Sequence, residues 1–180
     1  MKYRKEIDGL RAISVLPVIF FHAGFTIVSG GFIGVDVFFV ISGYLITSIL
    51  LQEIQDGKYS IKRFYERRLR RILPALFFVM LTCLPFAWFW LLPHDLQEFS
   101  KSLGSVSIFG SNIFFNRQIS YFNSAVDIKP LLHTWSLGIE EQYYLIFPLY
   151  LLLIWRHGRR WLFGVTICLI IISLLYVSAP

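Results

Sequence analysis

The sequence predicts an all-α fold, a polytopic bundle of membrane-spanning helices. Of its 180 residues 56% are hydrophobic and 18% aromatic, with 18 Phe, and the mean hydropathy is +0.63. The apolar residues fall in runs close to the roughly 20 needed to cross a bilayer core. Cations bracket those runs instead of covering a surface. An ordinary soluble domain has no such composition. Cys83 and Cys168 both lie inside apolar runs, so neither a disulfide framework nor a zinc site is indicated. The net charge of +6 serves topology and one local site, not nucleic acid, because no soluble domain presents it to a duplex.

The first apolar run, about 10–28, follows Lys2, Arg4 and Lys5. It is too long for a signal peptide and lacks a small-residue cleavage pattern, so it reads as a retained span. Further spans are expected at 34–52, 72–92, 142–156 and 161–178, about five in all, the fourth short unless residues around Ile139 extend it. The stretch 103–115 is apolar but broken by Gly104, Ser105, Ser107, Gly110, Ser111 and Asn112. It is expected to be an interfacial or re-entrant helix. With a cytoplasmic N-terminus and 93–141 on the far side, fourteen of the 17 cations are cytoplasmic; a sixth span would expel Arg156, Arg159 and Arg160. The expected location is therefore a membrane, with the N-terminus cytoplasmic; the bacterial inner (plasma) membrane is what the family resemblance given below implies.

Charged groups near spans cost about 3 kcal/mol at a helix centre, which makes each a functional candidate. Arg11 and His22 are eleven residues apart, so they share one helix face about 16 Å apart. An imidazole there suits a general base, although an anchoring charge and a hydrogen-bonded buried histidine explain the same spacing. Asp36, after Gly30, Gly31 and Gly34, needs a partner such as His22 or an arginine unless it faces interfacial water at a helix start. Ser42 and Gly43 allow close helix approach. Seven cations crowd 58–71 and stop before Pro74. Among them Arg68/Arg71 and Arg67/Arg70 are i,i+3 pairs suited to bidentate phosphate binding or to anionic lipid. His133, Trp135, Glu140 and Glu141 form a polar and aromatic cluster before the fourth run, read as the lining of a wet outer cavity; its spacing is no metal motif.

Taken in order, 4–22 (RKEIDGLRAISVLPVIFFH), 31–44 (GFIGVDVFFVISGY), 64–74 (FYERRLRRILP) and 133–148 (HTWSLGIEEQYYLIFP) resemble the membrane-bound acyltransferase type 3 family. The resemblance implies O-acylation, chiefly O-acetylation, of a cell-surface polysaccharide or glycolipid, such as lipopolysaccharide or peptidoglycan. It implies acetyl-CoA or another acyl-CoA as donor, and no metal. It assigns His22 as catalytic base, paired with Arg11 as an essential residue; it assigns Arg68 and Arg71 to the donor, Ser42, Gly43 and Tyr44 to a substrate element, and Glu141 to an acidic element. Asp36, His133, Trp135 and Glu140 are expected beside them, the last two with Glu141 on the outer acceptor side. Family domains have about ten spans of roughly 20 residues, so residues 1–180 are expected to be the N-terminal part of such a domain. A transporter or flippase of a glycan or lipid intermediate, which needs no coenzyme A, a non-catalytic membrane scaffold, and an inactive fragment of the enzyme are the rival expectations.

Overall fold

A computed structural model describes residues 4–121, 129–155 and 157–178. Among these the chain forms seven α-helices and no strand, and it divides into two compact units, 1–141 and 142–180. Helices α1 (Lys5–His22) and α2 (Gly34–Gln55) are joined through short 3₁₀ turns at Thr26–Val28 and Gly31–Ile33. There follow α3 (Ile61–Trp90), α4 (Pro93–Ser107), α5 (Ser111–Tyr121), α6 (Thr134–Trp155) and α7 (Arg159–Ser178).

Glu6 and Asp8 complement the N-terminal dipole of α1. The helix closes with Gly24 N–H on the Phe21 carbonyl and Phe25 N–H on the Phe20 carbonyl, both 3.1 Å, while the Phe20 and Phe25 rings meet edge to face at 5.5 Å. The chain then doubles back. A Cβ on Gly31 would lie 2.2 Å from the Pro17 carbonyl oxygen, and one on Gly34 2.1 Å from that of Ser14. Only glycine admits that approach, and it sets the antiparallel register. Phe38 comes to lie under the Arg11 guanidinium, 5.0 Å from its ring centroid, and the Tyr44 hydroxyl accepts from Arg4 at 3.1 Å. Ser42, Ile46 and Leu50, four residues apart, are the buried positions of α2.

Three helical segments are long and apolar enough to cross a membrane: Gly31–Gln55, Ile61–Trp90 and Thr134–Trp155; the apolar part of the last helix, Arg160–Tyr176, is shorter. The sequence reading of about five spans differs in three places. The run 10–28 is not one helix, because α1 spends Lys5, Glu6, Asp8 and Arg11 on its first half and turns at Ala23–Gly24. The cationic stretch and the 72–92 run are not separate: α3 is one helix of 30 residues that passes through Pro74 and Pro85. Each proline removes one N–H donor, but in apolar surroundings every other backbone group still demands the helix. And α6 begins at Thr134 instead of 142, taking the polar cluster into its first two turns.

The 103–115 stretch is two helices. They break at Phe109, which has φ 56°, with its N–H on the Val106 carbonyl at 3.0 Å and that of Gly110 on Ser105 at 2.8 Å. α5 returns antiparallel to α4, Gln118 Nε2 donating to Glu98 Oε2. At 15 and 11 residues neither helix reaches across a bilayer. Leu76, Met80 and Ala87 of α3, Phe99 and Val106 of α4, Phe115 of α5 and Leu131 form the core of the first unit. In the second unit the Tyr150 hydroxyl meets Thr166 Oγ1 at 2.6 Å, between α6 and α7. Thr166 gives its own proton to the Leu162 carbonyl, so Tyr150 is the donor.

The glycine contacts give the first test. Gly34→Val forces a branched side chain onto the Ser14 carbonyl and is expected to lower the stability of detergent-solubilised protein by more than about 2 kcal/mol, read as a fall in Tm. Gly104→Ala, with nothing within 4 Å, leaves Tm unchanged or slightly raised.

Candidate active-site groove

A groove of about 420 Å³ runs between α3 and the start of α6, with Arg71, Ala75 and Val79 on one wall and His133, Ser136 and Glu140 on the other. α6 is held there by buried hydroxyls. Ser111 Oγ donates to the Thr134 carbonyl at 2.8 Å and Thr134 Oγ1 to that of Leu131 at 2.7 Å. A Cβ on Gly138 would come 3.0 Å from Ser111 Oγ and 3.1 Å from the Phe109 carbonyl. The small and polar residues that make 103–115 a poor span are therefore what lets α6 seat against it.

The arginines of α3 at 67, 68, 70 and 71 separate into two kinds. Arg67 is bridged to Glu53 of α2 at 2.7 Å, and Arg70 to Glu66 one turn back at 2.8 Å. Arg71 faces the groove and, among the described residues, makes no ion pair. Arg68 lies across the Phe64 ring, 5.9 Å from its centroid, and is the opposite charge that acts on Glu141. One Glu141 oxygen, Oε1, is buried with no hydrogen-bond partner among the described residues.

Glu140 and Glu141 are thus brought to the arginine pair. The sequence reading puts them on the outer, acceptor side, across the membrane from Arg68 and Arg71. The difference arises because α6 starts eight residues before the apolar run and runs back along α3, so both its acids arrive nearly two turns inside the helix. His133, before the first turn, is at the other end of the groove, within electrostatic reach of His22. From 133 to 141 the helix advances about 12 Å.

His22 stands in the last turn of α1 with its ring exposed. Its Nδ1 lies 2.8 Å from the Val18 carbonyl oxygen. A carbonyl only accepts, so Nδ1 carries the hydrogen and Nε2 of the neutral ring keeps its lone pair. Arg11, about 16 Å back along α1, shares that face without touching the imidazole. The helix register puts Asp36 level with Arg11 and away from His22; it is exposed in the first turn of α2 with no partner among the described residues. Trp135 meets Phe39 of α2 edge to face at 6.5 Å, tying α6 to the α1–α2 pair. Ser42 is buried and Tyr44 exposed on α2, lower than His22 and outside the groove lining. Among the described residues no three His, Cys, Asp or Glu side chains converge as for a metal ion.

The sequence reading does not single out Glu53, Glu66, Ser111 or Gly138. The i,i+4 spacing of Glu66 and Arg70 is a legible signal; the other contacts join residues remote in sequence and leave none.

A model of the acyltransferase domain of type 3 matches residues 4–180. The chain is 40% identical over 149 residues to the O-acetyltransferase OatA of Staphylococcus aureus (strain NCTC 8325 / PS 47), covering 82% of this chain and 24% of that protein. It is 39% identical over 181 residues to the peptidoglycan O-acetyltransferase OatA of Listeria monocytogenes, covering 98% of this chain and 29% of that protein. The chain therefore spans about a quarter of the length of the curated relatives it matches. No solved structure matches.

Loss of water around its ring pushes the His133 imidazole below the ordinary histidine range, and His22 adds to this against a backbone hydrogen bond at Pro130. The folded chain then holds fewer protons than the unfolded one as pH falls through about 6.5. Stability is expected to rise with pH across that window and to be lost on acidification. His133→Gln should flatten the Tm profile between about pH 5 and 8; an unchanged slope would contradict the assignment.

Proposed function

The chain belongs to the acyltransferase type 3 family, and from that membership we propose that it forms the membrane part of an O-acetyltransferase acting on a cell-surface polysaccharide. The donor in this reading is acetyl-CoA, and the acceptor a hydroxyl of peptidoglycan, the substrate in the name of the Listeria relative. Three long apolar helices make the protein an integral membrane one; the bacterial plasma membrane, with the arginines cytoplasmic, fits a donor made in the cytoplasm.

One observation carries the reading: a single groove has at one end a guanidinium that makes no ion pair among the described residues, and at the other an imidazole within electrostatic reach of a second imidazole. Arg71 and Arg68 take donor phosphate oxygens, which suits forked guanidinium donors, while Arg67 and Arg70 are bridged to Glu53 and Glu66. The acyl arm then lies along Ala75 and Val79 toward His133 and His22. At His22, Nε2 takes the proton of the acceptor hydroxyl as its oxygen attacks the thioester carbonyl. The carbon–sulfur bond breaks, and the thiolate leaves with the bonding pair and takes the proton from the imidazolium. The Val18 carbonyl, not Arg11 or Asp36, orients the ring. His133, Trp135 and Glu140 shape the substrate path, and Ser42, Gly43 and Tyr44 stand off it on α2.

His22→Ala is expected to reduce acetylation of peptidoglycan, measured by mass analysis of released muropeptides, by about 100-fold or more, with membrane insertion intact. In membranes assayed with acetyl-CoA, Arg71→Ala should raise the donor KM about tenfold or more, while Arg70→Ala, its charge tied to Glu66, stays within about twofold. Equal effects of the two alanines would remove Arg71 from the donor site, and full activity without His22 would remove the base.

A further inference from the structure

We propose that the α4–α5 hairpin carries a second, separate binding site, for the headgroup and one acyl chain of an anionic phosphodiester lipid of the membrane. A groove of about 460 Å³ lies on the hairpin, away from the residues of the acyl-transfer groove. Its two ends differ in chemistry. At the turn it is lined by Ile108, Ile113 and Phe114, and toward the open ends of the helices by Lys101, Arg117 and Glu98. From Gly110 to Arg117 the helix rises about 10 Å, so the groove is apolar at its tip and cationic at its mouth. Ile108 and Ile113, 78% and 52% exposed, leave the tip uncovered.

Charge complementarity names the occupant. The three cations of the chain that the topology leaves outside the cytoplasmic clusters are Lys101, Arg117 and Lys129, and all three come to this one hairpin although 28 residues separate the first from the last. Glu98, the acid of the lining, is fully engaged: Oε1 accepts from Lys101 Nζ at 2.6 Å and Oε2 from Gln118. Gln118 Oε1 in turn accepts from Lys129 Nζ at 2.5 Å. That network neutralises Lys101 and fixes Lys129. Arg117 is exposed, with no ion pair or hydrogen bond among the described residues. A forked cation above an apolar channel fits a phosphate oxygen with a hydrocarbon chain below it. A soluble anion would leave the tip unused, and a neutral hydrocarbon would leave Arg117 unmatched.

Native mass spectrometry of the intact purified protein, released from detergent with added phosphatidylglycerol or phosphatidylcholine, tests this. One phosphatidylglycerol is expected to be retained preferentially. Arg117→Gln should weaken retention roughly fivefold, the loss of about one cation's contribution at a membrane surface. Phe114→Asn, which leaves the cations in place, should weaken it as well. Equal retention of the two lipids by the unaltered protein, which needs no variant, would overturn the proposal, as would retention indifferent to Arg117. Displacement by glycerophosphate lacking acyl chains would show a site for free phosphate and overturn the lipid assignment. Acetyl transfer is read in parallel: the lipid result stands or falls independently of the donor KM at Arg71.

Discussion

The closeness of two backbones governs most of what this chain places. Gly34 and Gly31 lie against the carbonyl oxygens of Ser14 and Pro17 at distances that no Cβ tolerates, so α1 and α2 touch main chain to main chain. Small residues that permit such contact replace the hydrophobic driving force that lipid cannot supply. The register then follows without further choice. Phe38 falls under Arg11, Tyr44 under Arg4, and Phe39 reaches Trp135 of α6. Through that last contact the end of α1 that bears His22 is brought to the end of α6 that bears His133. A sliding of one turn between α1 and α2 would break this juxtaposition with no change in either imidazole.

Charge accounting explains which basic residues remain available. In a low-dielectric setting an unmatched guanidinium is costly, and α3 carries four arginines within five positions. Two are settled by acids, Glu53 from α2 and Glu66 from α3 itself. The other two face α6, where Glu140 lines the groove with Arg71 and Glu141 lies in the field of Arg68. Glu141 Oε1 has no hydrogen-bond donor among the described residues. An anion entering the groove would meet Arg71, a cation held in position with no ion pair among the described residues. This preorganisation is what a phosphate site needs.

What the sequence discloses and what it hides divide along one line. Periodicity and composition mark α2, the apolar half of α3 and the shared face of Arg11 and His22, because each depends on spacing within one helix. The unsuitability of 103–115 as a span is legible for the same reason, since Gly104, Ser105, Gly110 and Ser111 sit inside it. Partnership between helices is not legible. Nothing in the spacing of 133–144 says that α6 starts at Thr134, since the start depends on a Ser111 hydroxyl 23 residues earlier. With that start missed, Glu140 and Glu141 are assigned to the wrong end of the groove. Asp36 shows the same gap: a carboxylate near a histidine in sequence order lies level with Arg11 once the helices are in register. Pro74 misleads in a different way. It ends helices in water, but where backbone groups have no solvent to turn to, the helix continues through it.

The distance between the two ends of the groove constrains the chemistry more than either end does. About 12 Å of α6 separates the turn of His133 from that of Glu141, and Arg68 and Arg71 belong to the latter. A small anion bound at the arginines would be out of reach of His22 Nε2, and a hydroxyl bound at His22 would be out of reach of the arginines. Only an elongated molecule, anionic at one end and reactive at the other, engages both. The wall between them, Ile72, Ala75, Leu76 and Val79, is apolar and offers a flexible arm contact without a polar detour. For the donor proposed above, binding energy collected at the arginines would position a reactive end that the arginines never touch.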